Sequence, residues 1–198
     1  MAQFPDPFED KQQQTVEPTV EPTVKYKKED KTAKFVSDLT RVCSTLDHLR
    51  IQAHLIHLNY EAANFLGVHK FLKKQYEGHS EQFDRVGEYI RSLDYLLPMC
   101  EKGLKSASKD VKHVDSYEPT KMLLTYYTNL ESFALFLKSV RKHAERIDAP
   151  DVENYLAELI GLLRYYFRSF LFNAFFINRI VFRWQSFLPP IRGRLWHP

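Results

Sequence analysis

Apolar positions recur at three- and four-residue steps along four long stretches of the chain, the spacing of amphipathic α-helices. The first helix is predicted from about Thr32 to Tyr60, with the apolar face Phe35, Val36, Leu39, Val42, Leu46, Leu49, Ala53 and Ile56. The second is predicted from Asn64, a suitable cap residue, to Leu97, where Pro98 follows. Its apolar face comprises Phe65, Val68, Leu72, Tyr76, Phe83, Val86, Ile90, Leu93 and Leu97.

Two more amphipathic stretches follow a long polar break. The third helix is predicted to begin near Pro119, a residue suited to a first turn, and to end near Arg146. Its apolar face comprises Met122, Leu123, Tyr126, Leu130, Phe133, Leu137 and Val140. The fourth helix follows the link IDAP, with Asp148 as a cap and Pro150 in the first turn. Its apolar positions are Leu156, Ile160, Leu163, Phe167 and Phe170, and the helix could continue past Phe176.

The two ends of the chain differ from this helical part. Residues 1–31 contain the repeat TVEPTVEPTV, whose prolines block helix, and five lysines against seven acids. We expect a disordered tail there and a four-helix domain over residues 32–172. Residues 173–198 form a C-terminal extension in which arginines alternate with aromatic and aliphatic residues. The polar break, residues 98–118, is the one long connection between helices.

Composition narrows the class of protein. Six glycines against fifteen phenylalanines and eleven tyrosines favour helices joined by short loops, and a net charge of +3 is too small to indicate a nucleic-acid partner. Cys43 and Cys100 lack the spacing of a zinc site, and we interpret them as free thiols rather than a disulfide. No signal-peptide pattern and no uninterrupted apolar run of about 18 residues is visible. We therefore expect a soluble, cytoplasmic protein with no membrane-spanning helix, and a membrane is the less favoured partner.

The stretch from His57 to Leu93 resembles the core of the Dps, or mini-ferritin, family. Family members carry a histidine, a second histidine twelve residues on, an aspartate four further, another aspartate eleven further, and a glutamate four beyond that. Here His57 and His69 are twelve apart, Asp84 follows His69 by fifteen, and Glu88 follows Asp84 by four. The resemblance implies an all-α, ferritin-like four-helix bundle with one long crossover, which could carry a short helix.

These residue types suit iron, which takes imidazole nitrogen and carboxylate oxygen ligands. Asp84 and Glu88 lie on one helical face. The resemblance implies that they meet His57 and His69 of another subunit at a two-fold interface of a dodecamer, which also has three-fold interfaces. It implies Fe²⁺ oxidised to Fe³⁺, by peroxide rather than oxygen, with Zn as a surrogate ion. The sequence contains no Glu-x-x-His, the motif of bundles that bind two irons internally.

One position departs from the family pattern. Lys73 stands where the family has its first aspartate, and a protonated lysine cannot ligate a metal. It would repel the ion on that side or pair with Asp84 or Glu88 instead. Two tryptophans usual in the family are Leu58 and Tyr165 here. Ferroxidase activity is therefore uncertain, and a weakened, mononuclear or lost site is an open alternative.

The other candidate residues each have a functional and a structural interpretation. His57 and His69 could make ordinary polar contacts, and His54, one turn earlier, could be an extra ligand or a surface residue. The acids Asp148, Asp151 and Glu153 could line a cation pore or simply stabilise a helix N-terminus. The extension contains Arg179, Arg183, Arg192 and Arg194, which could contact nucleic acid or a partner, or lie in solvent beside a packed apolar segment.

The sequence is compatible with three functions. The first is a shell that binds and oxidises Fe(II), stores ferric mineral and so protects DNA from oxidative damage. The second is a shell with little or no ferroxidase activity that binds DNA non-specifically and could associate with the nucleoid. The third is an interaction module whose C-terminal extension docks on a partner or a membrane.

Overall fold

The computed structural model describes the backbone of residues 31–174 and the side chains up to residue 167. Five helices follow one another: α1 (Lys31–Asn59), α2 (Phe65–Ser92), α3 (Glu101–Ser106), α4 (Pro119–Arg146) and α5 (Pro150–Ala174). No strand occurs in residues 31–174, so the all-α prediction is confirmed. The predicted tail lies outside the described residues except for Lys31, and so does the predicted extension beyond Ala174.

The four long helices form two antiparallel pairs joined by short turns. Helix α1 packs along α2, α4 packs along α5, and α1 also contacts α4, which joins the pairs. The short helix α3 lies within the crossover between the pairs and packs against α1. The predicted order of short loop, long crossover and short loop is confirmed, and so is the short helix inside the crossover.

The predicted apolar faces of α1 and α4 form the core. Every apolar residue predicted for these two faces is buried, including Leu39, Leu46, Tyr126 and Leu130 at 0% exposure. Burying one large apolar side chain stabilises a fold by about 1.5–3 kcal/mol, so the register of the helices is strongly determined. On the predicted apolar face of α2, by contrast, Phe65 is 44% exposed. It covers His69 instead of joining the core.

Helix α2 ends earlier than predicted, at Ser92 rather than Leu97. Asp94 adopts a left-handed conformation (φ 66°), and the Tyr95 N–H bonds to the Ile90 carbonyl at 3.2 Å. This hydrogen bond closes the helix end and reverses the chain. Leu97 then folds back over Gly87, where an added Cβ would lie 3.2 Å from its Cδ1. Leu97 thus packs against α2 without belonging to it.

The prediction that Asp148 caps the last helix is wrong. Asp148 has a left-handed conformation (φ 60°), and the next residue, Ala149, donates its N–H to the Ala144 carbonyl at 3.1 Å. Asp148 therefore terminates α4 in the position usually taken by glycine. The Ala149 carbonyl accepts the first hydrogen bond of α5, from Glu153 at 3.0 Å, and Pro150 is the first residue of α5, as predicted.

The N-terminal caps of α2 and α4 differ in kind. Asn64 precedes α2 as predicted but makes no capping bond, because its Oδ1 accepts the Tyr60 hydroxyl at 2.7 Å. At α4 the cap is Glu118, whose carboxylate accepts the N–H groups of Thr120 and Lys121 at 2.8 and 2.9 Å. These bonds lower the pKa of Glu118, the Thr120 N–H contributing most.

Two side chains hold the crossover in place through the main chain of one residue. The Asn129 Oδ1 accepts the Lys112 N–H at 2.9 Å, and the Asn129 Nδ2 donates to the Lys112 carbonyl at 2.8 Å. The Gln52 Nε2 donates to the same carbonyl at 2.8 Å, and its Oε1 accepts from Asn129 at 2.9 Å. Helices α1 and α4 thereby satisfy both backbone groups of Lys112 at the bundle surface. Over the described residues, no helix is long and apolar enough to cross a membrane.

Candidate metal centre

His57 and His69 form a stacked, reciprocally hydrogen-bonded pair where α1 meets α2. Their ring centroids are 3.6 Å apart, with 23° between the ring planes. The His57 Nδ1 lies 2.9 Å from the His69 carbonyl oxygen, and the His69 Nδ1 lies 3.1 Å from the His57 carbonyl oxygen. A carbonyl only accepts, so each Nδ1 carries a hydrogen and each neutral ring has its lone pair on Nε2. This is the tautomer that a metal-ligating histidine uses.

The turn between α1 and α2 creates this pair. The Tyr60 to Asn64 hydrogen bond closes a five-residue turn, which brings the end of α1 against the start of α2. His57 lies in the last turn of α1, where its carbonyl has no helical partner and can accept from His69. The exposed Phe65 ring lies 4.9 Å from the His69 ring and covers it.

His54 and Tyr76 extend the pair into a cluster of four rings. The His54 ring stacks on Tyr76 at 4.3 Å, and Tyr76 meets His57 edge-on at 5.4 Å. The His54 and His57 centroids are 6.1 Å apart. His57 is 7% exposed, whereas His54 is largely exposed. The spacing of His54 predicted its nearness to His57, but its stacking on Tyr76 needs the contact between α1 and α2.

Asp84 and Glu88 lie far from the histidines of the same chain. Both are exposed, and fifteen residues of continuous helix separate His69 from Asp84, which is roughly 22 Å along α2. Within residues 31–167, no group of three or more histidine, cysteine, aspartate or glutamate side chains is close enough to hold a metal ion. One chain therefore holds the candidate ligands as two separate groups, a histidine pair and a carboxylate pair.

Lys73 lies one turn after His69 and points into solvent. Its Nζ is 3.8 Å from the Glu77 Oε1, and the two side chains are 57% and 51% exposed. This contact within α2 is a weak surface ion pair. The predicted pairing of Lys73 with Asp84 or Glu88 would need a second chain and stays a prediction.

The bundle interior holds uncharged polar groups. Its buried polar side chains include Gln75, His79, Gln82 and Asn129, and no aspartate or glutamate is buried among the described residues. A di-iron site inside a bundle is built from inward-facing glutamates and histidines. The described interior supplies no carboxylate for such a site, so the histidine pair and the carboxylate pair are the candidates for metal.

The predicted pore acids have separate environments. Asp148 and Asp151 are exposed, whereas Glu153 accepts a hydrogen bond from the Arg141 Nη2 at 2.9 Å. The ion pair of Glu153 favours a structural role for that residue. Arg179, Arg183, Arg192 and Arg194 lie outside the described residues.

Sequence reasoning missed a buried contact between α2 and α4. The His79 Nδ1 lies 2.9 Å from the Gln82 Oε1, and its Nε2 lies 2.9 Å from the Tyr126 hydroxyl. Burial lowers the pKa of His79 to about 4, so its ring is neutral at ordinary pH. The available signal was the position of His79 between Tyr76 and Phe83, at helical spacing from two residues of the predicted apolar face.

Comparisons with known proteins agree with this architecture. The model of the ferritin-like domain family matches residues 38–161. A Dps protein from Bacillus brevis superposes with a TM-score of 0.69 at 17% identity, covering 76% of this chain and 99% of that one. A Vibrio cholerae Dps protein, described as a ferritin-like diiron-carboxylate protein, has a TM-score of 0.66 at 14% identity, covering 74% and 91%. Dps from Staphylococcus aureus superposes with a TM-score of 0.66 at 13% identity, covering 72% of this chain and 95% of that one.

The chain belongs to the ferritin-like domain family, whose model matches well over half of its length. Within that family its fold is the one seen in Dps proteins, as the resemblance around His57 predicted. At these identities the likeness to the solved structures is one of fold. A search of curated proteins finds no match to this chain.

Proposed function

We propose that this protein binds Fe(II) between two copies of its chain, oxidises it and stores the ferric product inside a closed shell. His57 and His69 of one copy and Asp84 and Glu88 of the other supply the ligands. The observation that carries the proposal is the reciprocal hydrogen bonding of the histidines, which holds both rings in the tautomer that presents Nε2 to a metal.

Two features support a site between chains. The histidine pair and the carboxylate pair, which we call half-sites, are roughly 22 Å apart along α2, so a single chain cannot close the site. Beside the histidines, the side chains of Leu55, Leu58 and Leu66 are 56%, 66% and 62% exposed. So much exposed apolar surface next to a half-site favours coverage by another subunit.

The chemistry requires few groups from the protein. Two Fe(II) ions each give one electron to one peroxide molecule, whose O–O bond breaks and which, with two protons, becomes two molecules of water. Imidazole and carboxylate ligands suit iron in both oxidation states, and the carboxylates stabilise the higher charge of Fe(III). Removing free Fe(II) and peroxide together would protect nearby DNA from oxidative damage, and we expect this role in the cytoplasm.

Lys73 limits the rate that we expect. Its ammonium lies one turn from His69 and pairs only weakly with the exposed Glu77 carboxylate, 3.8 Å away. A cation there disfavours a second iron, since like charges repel most strongly where water is excluded. We therefore expect one well-held cation per site and slow turnover.

A crystal soaked with Fe(II) or Co(II) without oxygen, measured at the absorption edge of the metal, tests the site directly. We expect an anomalous peak between the Nε2 atoms of one chain and the carboxylates of a two-fold related chain. Light scattering should report about twelve subunits, the closed assembly expected with two-fold and three-fold interfaces. A stable monomer, or a metal peak elsewhere, would overturn the proposal.

Lys73 also favours a second candidate, a shell that binds DNA and has little ferroxidase activity. DNA contacts would then come from the arginines of the extension, because residues 1–31 carry five lysines against seven acids. Truncation after Phe172 tests this idea. Intact shells that lose salt-sensitive DNA binding would support it, and broken shells would show that the extension holds the assembly together.

A further inference from the structure

A phenol and an imidazole share one buried hydrogen bond at the centre of the bundle. Tyr126 on α4 is 0% exposed and His79 on α2 is 1% exposed. The Tyr126 oxygen lies 2.9 Å from the His79 Nε2, a normal hydrogen-bond length. Neither residue belongs to the half-sites described above.

The direction of this hydrogen bond follows from the partner of the other ring nitrogen. The His79 Nδ1 lies 2.9 Å from the Gln82 Oε1, which only accepts, so Nδ1 carries the hydrogen of the neutral ring. The His79 Nε2 therefore has a lone pair and accepts the Tyr126 hydroxyl hydrogen. The Gln75 Oε1, at 3.3 Å from the Tyr126 oxygen, is a longer and weaker alternative. Tyr126 thus points its only proton at a base.

An aromatic series connects this pair with the surface. From Tyr126 the ring centroids step to Tyr127 at 6.0 Å, then to Phe71 at 6.3 Å and to Tyr166 at 6.2 Å. Tyr165 follows at 6.0 Å and is 65% exposed. An electron can leave the buried phenol over such short steps without a diffusing reagent entering the core.

We propose that Tyr126 is a redox-active tyrosine and that His79 is its proton acceptor. A strong one-electron oxidant, of the class formed from peroxide and ferrous iron, removes one electron from the phenol. The O–H bond breaks, the proton crosses the 2.9 Å hydrogen bond, and an N–H bond forms at Nε2. The products are a neutral tyrosyl radical and an imidazolium, and reduction by one electron returns the proton to oxygen.

Proton transfer to His79 avoids forming a radical cation in the buried interior. A phenol oxidised without a base would leave a radical cation in a medium that solvates charge poorly. Transfer to His79 leaves the radical neutral and moves the charge to a ring whose Nδ1–H already contacts Gln82. His79 is neutral before the reaction, because burial lowers its pKa to about 4. The pair would give the protein an internal sink for oxidising equivalents.

The test uses the full-length, iron-free protein and a ruthenium(III) tris-bipyridine oxidant generated by light, so it does not depend on the metal centre. High-field electron paramagnetic resonance of rapidly frozen samples should show a tyrosyl radical that is hydrogen-bonded to a positively charged donor. Its coupling to an exchangeable proton should disappear in D₂O. Tyr126→Phe should remove this signal, and Tyr127→Phe, which deletes a neighbouring buried phenol hydroxyl, should keep it.

His79→Gln completes the design by removing the base. The hydrogen-bonded radical should then be lost even though Tyr126 remains. A wild-type radical without an exchangeable proton, or an unchanged spectrum in Tyr126→Phe, would overturn the proposal. The wild-type measurement in H₂O and D₂O stands by itself if either variant fails to fold.

Discussion

His57 and His69 each donate Nδ1–H to the main-chain carbonyl of the other, at 2.9 and 3.1 Å, so neither ring is positioned independently. Replacing His57 by alanine removes one ligand and the ring that stacks on His69, although the main-chain carbonyl that accepts from the His69 Nδ1 remains. We expect His57→Ala to weaken Co(II) or anaerobic Fe(II) binding by more than the about 10–100-fold that losing an orienting partner alone costs. Calorimetry measures the effect. His54→Ala is the matched control, and an equal loss there would mean that His54 is a ligand too.

Mixing two inactive variants tests whether the site spans two chains. His57→Ala removes one half-site and Asp84→Ala the other, so shells of either variant should be inactive. If equal amounts are unfolded together and reassembled at random, about a quarter of the sites combine two intact halves. Ferroxidase activity should recover to about that fraction of wild type. No recovery from well-formed mixed shells would show that these residues do not form an active site between chains.

Lys73→Asp should increase metal occupancy and the rate of Fe(II) oxidation. The change removes a positive charge that repels the metal ion and supplies a carboxylate ligand one turn from His69. Stopped-flow oxidation and metal analysis of purified shells give the two quantities. Lys74→Asp makes the same change of charge at the next, differently directed position and should alter both far less. Equal rates for wild type and Lys73→Asp would remove Lys73 as the cause of slow turnover.

The buried His79 should make stability depend on pH. Its pKa is about 4 in the fold and 6.5 as the ordinary value, so between these pH values the unfolded chain binds more protons. The free energy of unfolding should therefore increase as the pH rises from about 4 to 6.5. It should decrease again as the pH falls through the same range. The full contribution is about 3 kcal/mol. Denaturant titrations from pH 4 to 7 should show a flatter profile in His79→Gln, whereas His113→Gln, at an exposed position, should retain the wild-type slope.

The two thiols should react at very different rates. Burial raises the pKa of Cys43 to about 12, and its Sγ lies 3.8 Å from the Phe83 carbonyl oxygen. At pH 8 only about one Cys43 in 10,000 would be a thiolate, the form that reacts. Cys100 is exposed. We expect a thiol reagent to label one cysteine per chain quickly and the other only in denaturant; a Cys100→Ser chain that labels quickly without denaturant would contradict this.

The helices could be predicted from the sequence because their apolar periods are long and regular. The predicted bounds of α4 match the structure, and those of α1 differ by one residue at each end. The failures lie at helix ends. Asp94 and Asp148 take the left-handed conformation that glycine usually takes, so neither helix end carries the glycine that would have predicted it. Leu97 continued the apolar period of α2, although it folds back onto Gly87 from outside the helix.

The sequence proposes the candidate residues of the site, but it does not predict the geometry between them. His57, His69, Asp84 and Glu88 are candidates because their spacing along the sequence resembles that of the Dps family. The stacking of two imidazoles and their exchange of hydrogen bonds depend on how a five-residue turn closes. The His79 and Tyr126 contact joins residues 47 positions apart, and it depends on helix packing that no local pattern encodes.

Asn129 and Gln52 hold the crossover through main-chain atoms of Lys112 alone, so these contacts do not depend on the side chain of residue 112. Asn129 and Gln52 recognise one N–H and one carbonyl, which every amino acid except proline provides. Lys112 should therefore accept almost any replacement, while Lys112→Pro loses the donor. Asn129 and Gln52 should tolerate few replacements, since each loss leaves buried partners unsatisfied. Position 112 is thus a permissive place to attach a label through a substituted side chain, provided that the two anchoring side chains are left as they are.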